Sequence, residues 1–296
     1  MKLLVIGATG TVGSNVVREL LARGHEVRAL TRDAGTAGDR LGAQVEIVRG
    51  DLLDRDTHRA LYDGIDGAFL LFSVGPTEAF EGLVTVSSAM TAGVKRLVYL
   101  SVIHADRAPH LPHFGSKLGI EAAVKASGSA WTILRPSHFY QNDLSLRDAI
   151  TQFGVYPSPL GSAGVARVDV RDVAELAASA LTQPGHASKT YEVISCAPVT
   201  GAQMAEAWSA ALGRPVRYAG DDLEGWERQA SQFMPPWMVY DLKLMYRHFQ
   251  RHGVRVPAAE LAAMHKLLGH PPRKLEDFTT ETVAAWAREG AAQRAS

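Results

Sequence analysis

The sequence predicts an α/β protein with a doubly wound parallel sheet and a smaller, mostly helical C-terminal portion. Short apolar runs alternate with helical patterns from residue 3 onwards, and about 46% of the 296 residues are apolar. Strands that alternate with helices are joined by right-handed crossovers, which produce a parallel sheet covered on both faces. The apolar share is enough to bury a large core without disulfides.

The predicted strands are short runs of β-branched or large apolar residues: residues 3–6, 27–30, 45–48, 68–72, 96–100 and 131–134. The predicted helices between them repeat apolar residues at helical spacing: residues 12–21, 55–62, 78–92 and 114–126. Arg135 and Pro136 then end the sixth strand.

The pattern changes after Pro136, and residues 137–165 are predicted to be loop-like because prolines and glycines cluster there. A return to the sheet is predicted by three elements: a strand near 165–168, a helix over 171–182 and a strand near 190–194. Further helices are predicted over residues 201–211, 222–232, 236–251, 258–268 and 279–288. We expect a first domain over residues 1–150, with its sheet completed by about residues 165–195, and a second portion over residues 151–296.

Composition excludes several classes of partner. The 31 Lys and Arg residues equal the 31 Asp and Glu residues, so the basic surplus typical of nucleic-acid binders is absent. The single cysteine, Cys196, excludes a disulfide framework and a cysteine-based zinc site, and the 11 histidines show no metal-ligand spacing. No apolar run approaches the roughly 18 residues that span a bilayer. We expect a cytoplasmic monomer or homodimer without a nucleic-acid, membrane or metal partner.

A glycine-rich turn directly follows the first predicted strand and opens the first predicted helix. Its glycines at 7, 10 and 13 suit a tight turn, close approach of a pyrophosphate to the backbone, and close packing of the helix. Unpaired N–H groups at the helix N-terminus then attract phosphate. The sequence therefore predicts a dinucleotide site with these contacts: Gly7, Thr9, Gly10, Thr11, Val12 and Gly13.

The end of the second strand predicts which dinucleotide is bound. NAD sites usually place an acidic residue there to hold the ribose 2′-hydroxyl, whereas this strand ends in Thr31-Arg32. An arginine can clamp a 2′-phosphate, so we expect NADP(H). The alternative is an ordinary solvated arginine. Asp33 is expected to cap a turn or to point to solvent.

Further cofactor contacts are expected at other strand ends. Asp51 could accept a hydrogen bond from the adenine amino group, with Leu52 beside the ring; a helix N-cap or a turn aspartate is the alternative. Phe72 ends the fourth strand, Ser73 follows it and Pro136 follows the sixth strand, and all three are expected to line the cofactor.

Additional motifs extend along nearly the whole chain: Gly50–Leu52, Lys117–Glu121, Ser127-Gly128, Thr132–Pro136, Asn142, Val168–Ala174, and Leu267–Pro272 with Phe278. Together with the glycine turn and Thr31-Arg32, and in this order, they resemble the NmrA-like atypical short-chain dehydrogenase/reductases. The resemblance implies an extended Rossmann fold with a small C-terminal substrate-binding portion. Such relatives reduce quinones, triphenylmethane dyes or aromatic-polyketide ketones, or regulate transcription through bound dinucleotide.

The sequence departs from the wider superfamily at the Tyr-x-x-x-Lys motif. The matching run is His113 to Lys117, so the lysine that the resemblance assigns to the nicotinamide ribose remains and the tyrosine is replaced. Four-residue spacing puts both side chains on one helix face. An exposed helical lysine is the alternative for Lys117.

The proton donor stays open between several groups. His113 could donate near neutral pH, or it could simply fill space in a loop. Ser101, at the end of the fifth strand, lies near the position at which the superfamily's serine polarises a carbonyl, and Tyr140 is another possible donor. A quinone or a phenol-linked ketone needs no side-chain acid, because the substrate itself can take up the charge or the proton.

Aromatic residues concentrate between residues 226 and 249 in a chain that is only 7% aromatic. This concentration is typical of a helical core stripe, and it also fits an apolar lid over a substrate pocket. The expected substrate contacts are His113, Phe139, Asn142, Trp226, Phe233 and Trp237.

These observations predict an NADPH-dependent reductase that transfers hydride to a ketone or quinone carbonyl of a small, polycyclic aromatic molecule such as an aromatic-polyketide intermediate. The alternative is a catalytically silent NADP(H)-sensing regulator that acts through a protein partner. An epimerase or dehydratase fits the fold as well but usually needs the missing tyrosine.

Overall fold

The computed structural model describes residues 1–295 and confirms the predicted α/β class. Its strands are β1 Lys2–Val5, β2 Glu26–Thr31, β3 Val45–Arg49, β4 Gly67–Leu70, β5 Arg96–Leu100, β6 Ala130–Pro136, β7 His138–Phe139, β8 Val155–Tyr156, β9 Arg167–Val168, β10 Lys189–Val193 and β11 Arg217–Tyr218. Its helices are α1 Thr11–Ala22, α2 Ala34–Leu41, α3 Arg55–Leu61, α4 Glu78–Thr91, α5 Pro112–Ala126, α6 Arg147–Thr151, α7 Val170–Thr182, α8 Gly201–Leu212, α9 Leu223–Ala230, α10 Pro236–His252, α11 Ala258–Leu268 and α12 Leu275–Ala295.

The chain divides into two compact units, and the first comprises Met1–Pro136 and Val170–Val193. This unit holds a seven-stranded sheet in the order β10-β6-β5-β4-β1-β2-β3, with every neighbouring pair parallel. The strand order reverses at β1, where β2 leads to one side and β4 to the other. Ligands of doubly wound sheets bind beyond the carboxyl ends of the strands at such a reversal.

Both faces of this sheet are buried, as parallel sheets require. One face packs against α3, α4 and α5 through a continuous cluster of buried side chains: Leu4, Ile6, Leu61, Leu70, Val86, Leu97, Ile120, Val124 and Ile133. The alternate residues of β1, Leu3 and Val5, are also fully buried. The N-terminal strand is therefore apolar on both sides, which explains why it reads as a continuous apolar run in the sequence.

Helices α4 and α5 approach closely because one contact position carries no side chain. A Cβ placed on Gly82 of α4 would overlap the side chain of Ile120 on α5. Glu78 lies one helical turn before Gly82, and Lys117 lies one turn before Ile120. Close packing at Gly82 thus brings the beginning of α4 next to the first turns of α5.

The second unit comprises Ser137–Asp169 and Ile194–Ser296. Its centre is an ion pair in which the Arg167 guanidinium contacts the Asp143 carboxylate at 2.8 and 3.0 Å, and both side chains are fully buried. The Trp208 indole N–H donates to the same carboxylate at 3.1 Å. Burial lowers the pKa of Arg167, but the charge and hydrogen bonds of Asp143, together with the neighbouring Tyr156, raise it overall. A buried charge needs such partners, so this network determines how the unit packs.

The structure differs from the sequence-based assignment between residues 137 and 169. The segment that was expected to be loop-like contains β7, a 3₁₀ helix over Tyr140–Leu146, α6 and β8. Strand β9 pairs with β7 in a separate two-stranded sheet, so it does not return to the main sheet; β10 does. These elements are only two to seven residues long, too short for a periodic apolar pattern.

Two helices also differ from the assignment. Helix α2 has no counterpart in it, because two glycines interrupt the helical pattern of its eight residues. Helix α12 begins at Leu275 instead of residue 279. Within residues 1–295, no helix combines the length and apolar character needed to cross a bilayer.

Candidate functional site

The glycine turn between β1 and α1 lies at the carboxyl end of the central strand, where the strand order reverses. Gly7 has a φ of +75°, which L side chains rarely adopt, and a Cβ on Gly13 would overlap the Gly7 carbonyl oxygen. Helix α1 begins after Gly10, which offers no side-chain cap to the first N–H groups. The turn has no side chain at Gly7, Gly10 and Gly13, and it lies beside an uncapped helix N-terminus. Such a backbone fits a phosphate group. Thr9 is half-buried and Thr11 exposed, whereas Val12 is buried in the unit's core.

The end of β2 presents an exposed arginine. Arg32 has no side-chain hydrogen bond or ion pair with any other residue that the structure describes. The next carboxylate, Asp33, accepts a hydrogen bond from the backbone N–H of Gly35 at 3.1 Å, and the Thr31 hydroxyl bonds the Asp33 backbone. Asp33 thus occupies the turn before α2, as the sequence suggests, while the guanidinium of Arg32 stays available for an anion.

The predicted adenine contacts at the end of β3 are held in a turn. The Asp51 carboxylate accepts from the backbone N–H of Leu53 at 2.9 Å, and the Asp51 N–H donates to the Thr57 hydroxyl at 3.0 Å. Asp51 remains exposed, and Leu52 packs partly against the core. The turn alternative for Asp51 is therefore present, although the turn uses only one of its carboxylate oxygens.

Phe72, Ser73 and Pro136 differ in accessibility. Phe72 is 3% exposed and its ring lies 6.1 Å from that of Tyr99, so its side chain belongs to the core and only its backbone could meet a cofactor. Ser73 is exposed directly after it, and Pro136 is buried at the end of β6.

Lys117 lies on α5, four residues after His113, as predicted from the sequence. It is not an exposed lysine: its residue is 6% exposed, and its Nζ forms an ion pair with the Glu78 carboxylate of α4, which is 1% exposed. The Ser116 hydroxyl lies 3.3 Å from the other oxygen of Glu78. Sequence reasoning missed Glu78, because an acidic residue in the first turn of a helix normally serves the helix dipole.

His113 lies in the first turn of α5, half-buried, with its ring edge-on to Phe114 at a centroid distance of 4.7 Å. It is therefore a helical residue and not part of the preceding loop.

Ser101 directly follows β5, as the sequence predicts, but its side chain is buried. Its residue is 4% exposed, and its hydroxyl donates to Oε1 of Glu121 at 2.6 Å. Glu121 also receives two hydrogen bonds from Arg135, both of 2.9 Å. A hydroxyl that is buried and committed to a carboxylate is poorly suited to polarise a substrate carbonyl, which argues against a catalytic role for Ser101.

Tyr140 belongs to the core of the second unit. It is fully buried, stacks on Phe278 at 5.5 Å, and donates from its hydroxyl to the Arg273 carbonyl at 3.4 Å. Burial, with the neighbouring Cys196, raises the pKa of the Tyr140 phenol. A buried phenol with a raised pKa argues against the predicted role as proton donor.

The remaining predicted substrate residues also lie in the second unit. Phe139 is half-buried in β7, and the exposed Asn142 lies with its amide nitrogen 3.3 Å from Nε2 of His138. Trp226 of α9 packs edge-on against Tyr246 of α10 at 5.1 Å and so belongs to the helical core.

Two other aromatic residues remain accessible: Phe233 is 76% exposed and Trp237 is 39% exposed. The aromatic segment thus contains both packed and exposed side chains, and its role as a lid over a substrate pocket stays a prediction.

Comparisons with known proteins assign the chain to a family. A model described as the NmrA-like family matches residues 1–279. The chain belongs to the NmrA-like family. Among its relatives, an NAD(P)H azoreductase of Xenophilus azovorans is 36% identical over 96% of this chain and 99% of that protein. A (4-alkanoyl-5-oxo-2,5-dihydrofuran-3-yl)methyl phosphate reductase of Streptomyces griseus is 35% identical over 97% of this chain and 100% of its own length.

The fold of this NmrA-like chain also matches solved structures. An NADPH-dependent quinone oxidoreductase of Escherichia coli, in complex with NADPH, superposes with a TM-score of 0.84 over 94% of this chain and 99% of that one, at 23% identity. The resemblance inferred from the motifs is thereby confirmed, and so is the predicted fold.

Proposed function

We propose that this chain is an NADPH-dependent reductase that transfers hydride to a carbonyl or related acceptor group of a small, planar aromatic molecule. The observation that carries the proposal is the uncapped N-terminus of α1 beside a turn that has no side chain at Gly7, Gly10 and Gly13. Relatives that are 36% and 35% identical over nearly the whole chain carry the names of reductases, which supports the same activity.

Different residues of the first unit bind different parts of the cofactor. The turn and the α1 N-terminus bind the pyrophosphate, Arg32 binds the ribose 2′-phosphate, and Lys117 donates hydrogen bonds to the hydroxyls of the nicotinamide ribose. Asp51 contributes its remaining carboxylate oxygen to the adenine. When bound, NADPH supplies the hydride from its reduced nicotinamide ring.

Proton transfer rests on His113 or on the acceptor itself. Ser101 and Tyr140 are buried, whereas His113 is half-buried, so His113 is the most accessible side chain of the three predicted donors. A quinone spreads the incoming negative charge over its conjugated system and can take its proton from solvent. For such an acceptor the protein mainly positions the reacting carbons and excludes water.

The acceptor is proposed to be a quinone, an azo compound or an aromatic-polyketide ketone. The exposed aromatic side chains of the second unit, Phe233 and Trp237, are suited to contact a planar molecule. Because Lys117 is retained and the relatives are named as reductases, a silent NADP(H)-sensing regulator is the less favoured function.

The test follows NADPH absorbance with a panel of quinones, azo dyes and polycyclic aromatic ketones. We expect NADPH oxidation with at least one member of this panel. Tight NADPH binding without turnover of any acceptor would instead favour the regulator. Replacement of His113 by Phe separates the two proton routes: full turnover supports the acceptor itself, and loss of kcat with unchanged NADPH affinity identifies His113.

A further inference from the structure

Lys117 is buried beside a single carboxylate. Its residue is 6% exposed, Glu78 is 1% exposed, and the two side chains form an ion pair between α5 and α4. A buried ammonium without a counter-charge is costly, because it loses its hydration. Glu78 therefore provides the counter-charge for the buried Lys117 ammonium.

The position of Glu78 is itself fixed on two sides. The Ser116 hydroxyl lies 3.3 Å from Oε2 of Glu78, while Oε1 faces Lys117. One helical turn further along, the contact between Gly82 and Ile120 sets the spacing of the two helices. The carboxylate thus has little freedom to move away from the lysine.

This ion pair leaves hydrogen-bonding capacity unused. A lysine ammonium carries three N–H donors. Among the residues that the structure describes, Glu78 is the sole partner of the Lys117 Nζ. The other donors remain for a ligand, and two neighbouring ribose hydroxyls are a ligand that a lysine can bind with them.

We propose that Glu78 is a positioning residue for NADPH binding. It holds the Lys117 ammonium in the orientation in which the spare N–H groups meet the nicotinamide ribose. The proposal rests on the proposed role of Lys117 as a ribose ligand. Glu78 itself does not touch the cofactor, and its effect is transmitted entirely through Lys117.

A double-mutant cycle tests this proposal, with the NADPH dissociation constant measured by fluorescence titration of the full-length protein. We expect Lys117→Met to weaken NADPH binding about 10- to 100-fold, because charge-assisted hydrogen bonds are lost. Glu78→Gln should weaken it about tenfold in the wild-type background. In the Lys117→Met background the same change should alter the constant by less than about twofold, since its target is gone.

Two further variants separate positioning from folding. Glu78→Asp keeps the charge on a shorter side chain and should recover part of the affinity lost in Glu78→Gln; it also carries the test if Glu78→Gln does not fold. Glu121→Gln is the matched control, because Glu121 is an equally buried, ion-paired carboxylate of the same unit. It should lower the unfolding temperature while the NADPH dissociation constant stays within about twofold.

The outcomes distinguish the two proposals. Unchanged NADPH binding in Lys117→Met would refute the ribose role of Lys117 and, with it, the role of Glu78. A large effect of Lys117→Met combined with no effect of Glu78→Gln, or with additive effects in the double variant, would overturn only the positioning role. Equal losses of affinity in Glu78→Gln and Glu121→Gln would also overturn it, because they would indicate general destabilisation.

Discussion

Two buried clusters of the first unit have the same composition and differ in how completely their hydrogen bonds are used. Each contains a carboxylate, a cation and a serine: Glu121 with Arg135 and Ser101, and Glu78 with Lys117 and Ser116. Both involve α5, and both carboxylates are about 1% exposed. The difference lies in the cations.

Arg135 has a partner for each of its three nitrogens. Nε and Nη2 donate to the two oxygens of Glu121 at 2.9 Å, and Nη1 donates to Asp106 at 3.0 Å. These interactions raise the pKa of Arg135, with the hydrogen bond to Glu121 as the largest cause. Such a cluster connects β6 to α5, and every nitrogen of the Arg135 guanidinium has a protein partner.

Lys117 is bound to one carboxylate and keeps spare donors. Both clusters lie in the same core, since burial and the negative charges of Glu78 and Glu121 together raise the pKa of Tyr99. A cation whose nitrogens all have protein partners is typical of a structural ion pair, whereas an ammonium with one carboxylate partner keeps two N–H donors for a ligand. Arg32 follows the same rule at the surface, because it has no partner among the described residues.

The largest expected effect is a loss of stability when the ion pair of Glu121 and Arg135 is removed. Arg135→Met should lower the free energy of unfolding by about 3 to 5 kcal/mol, because it leaves the buried Glu121 with only the Lys125 ammonium, at 3.4 Å, as a counter-charge. Urea unfolding monitored by circular dichroism measures this change. The remaining folded protein should bind NADPH with nearly wild-type affinity. A specific loss of NADPH binding in fully folded Arg135→Met would contradict the purely structural role of this cluster.

The next effect is on cofactor selectivity. Arg32→Ala should weaken NADPH binding by about 1.5 to 3 kcal/mol, or roughly 10- to 100-fold, since a charge-assisted contact to the 2′-phosphate is removed. NADH lacks that phosphate, so its dissociation constant should hardly change. Arg18→Ala, on the exposed side of α1, is a suitable control. Similar losses for NADPH and NADH would show that Arg32 does not read the phosphate.

A smaller effect is expected at the contact between Gly82 and Ile120, which supports the ion pair of Glu78 and Lys117. Gly82→Ala should destabilise the protein by about 1 to 3 kcal/mol, because its methyl group overlaps Ile120. It should also weaken NADPH binding by displacing Glu78 from Lys117. Gly119→Ala on α5 is the matched control: nothing lies within 4 Å of its Cβ position, so it should stabilise the helix slightly. Equal unfolding temperatures for the two variants would contradict the close packing.

The smallest effect is a pH dependence. Burial alone would raise the pKa of Glu121, but hydrogen bonds from Arg135 and Ser101 and the charge of Arg135 lower it overall. A carboxyl whose pKa is lowered by folding stabilises the protein above its ordinary pKa, and this contribution is lost as the pH falls through the lowered value. Unfolding free energies should thus fall from about pH 5 to about pH 3. The fall should be smaller in Glu121→Gln; an equal fall would refute the role of Glu121.

The sequence predicts most of the first unit because its signals are local. Periodic apolar runs locate the sheet strands and their helices to within a few residues, and the Arg96–Leu100 strand is matched at both ends. The glycine turn is likewise visible in one segment. Glu78 was not predicted because its contact with Lys117 depends on how α4 packs on α5, which no local pattern encodes.

The same limitation explains the two candidates that the structure disfavours. Ser101 and Tyr140 have suitable chemistry and suitable positions in the chain. Their accessibility, however, is set by Glu121 in one case and by Phe278 and Arg273 in the other, all distant in sequence. Residue type predicts what a side chain could do, whereas only packing decides whether it is free to do it.

We propose that the first unit binds NADPH through groups with spare hydrogen-bonding capacity. Isothermal titration of the wild-type protein with NADPH, and separately with NADH, tests it most directly. We expect one NADPH to bind per chain, at least about tenfold more tightly than NADH. Equal affinities for the two dinucleotides, or no binding of NADPH, would contradict it.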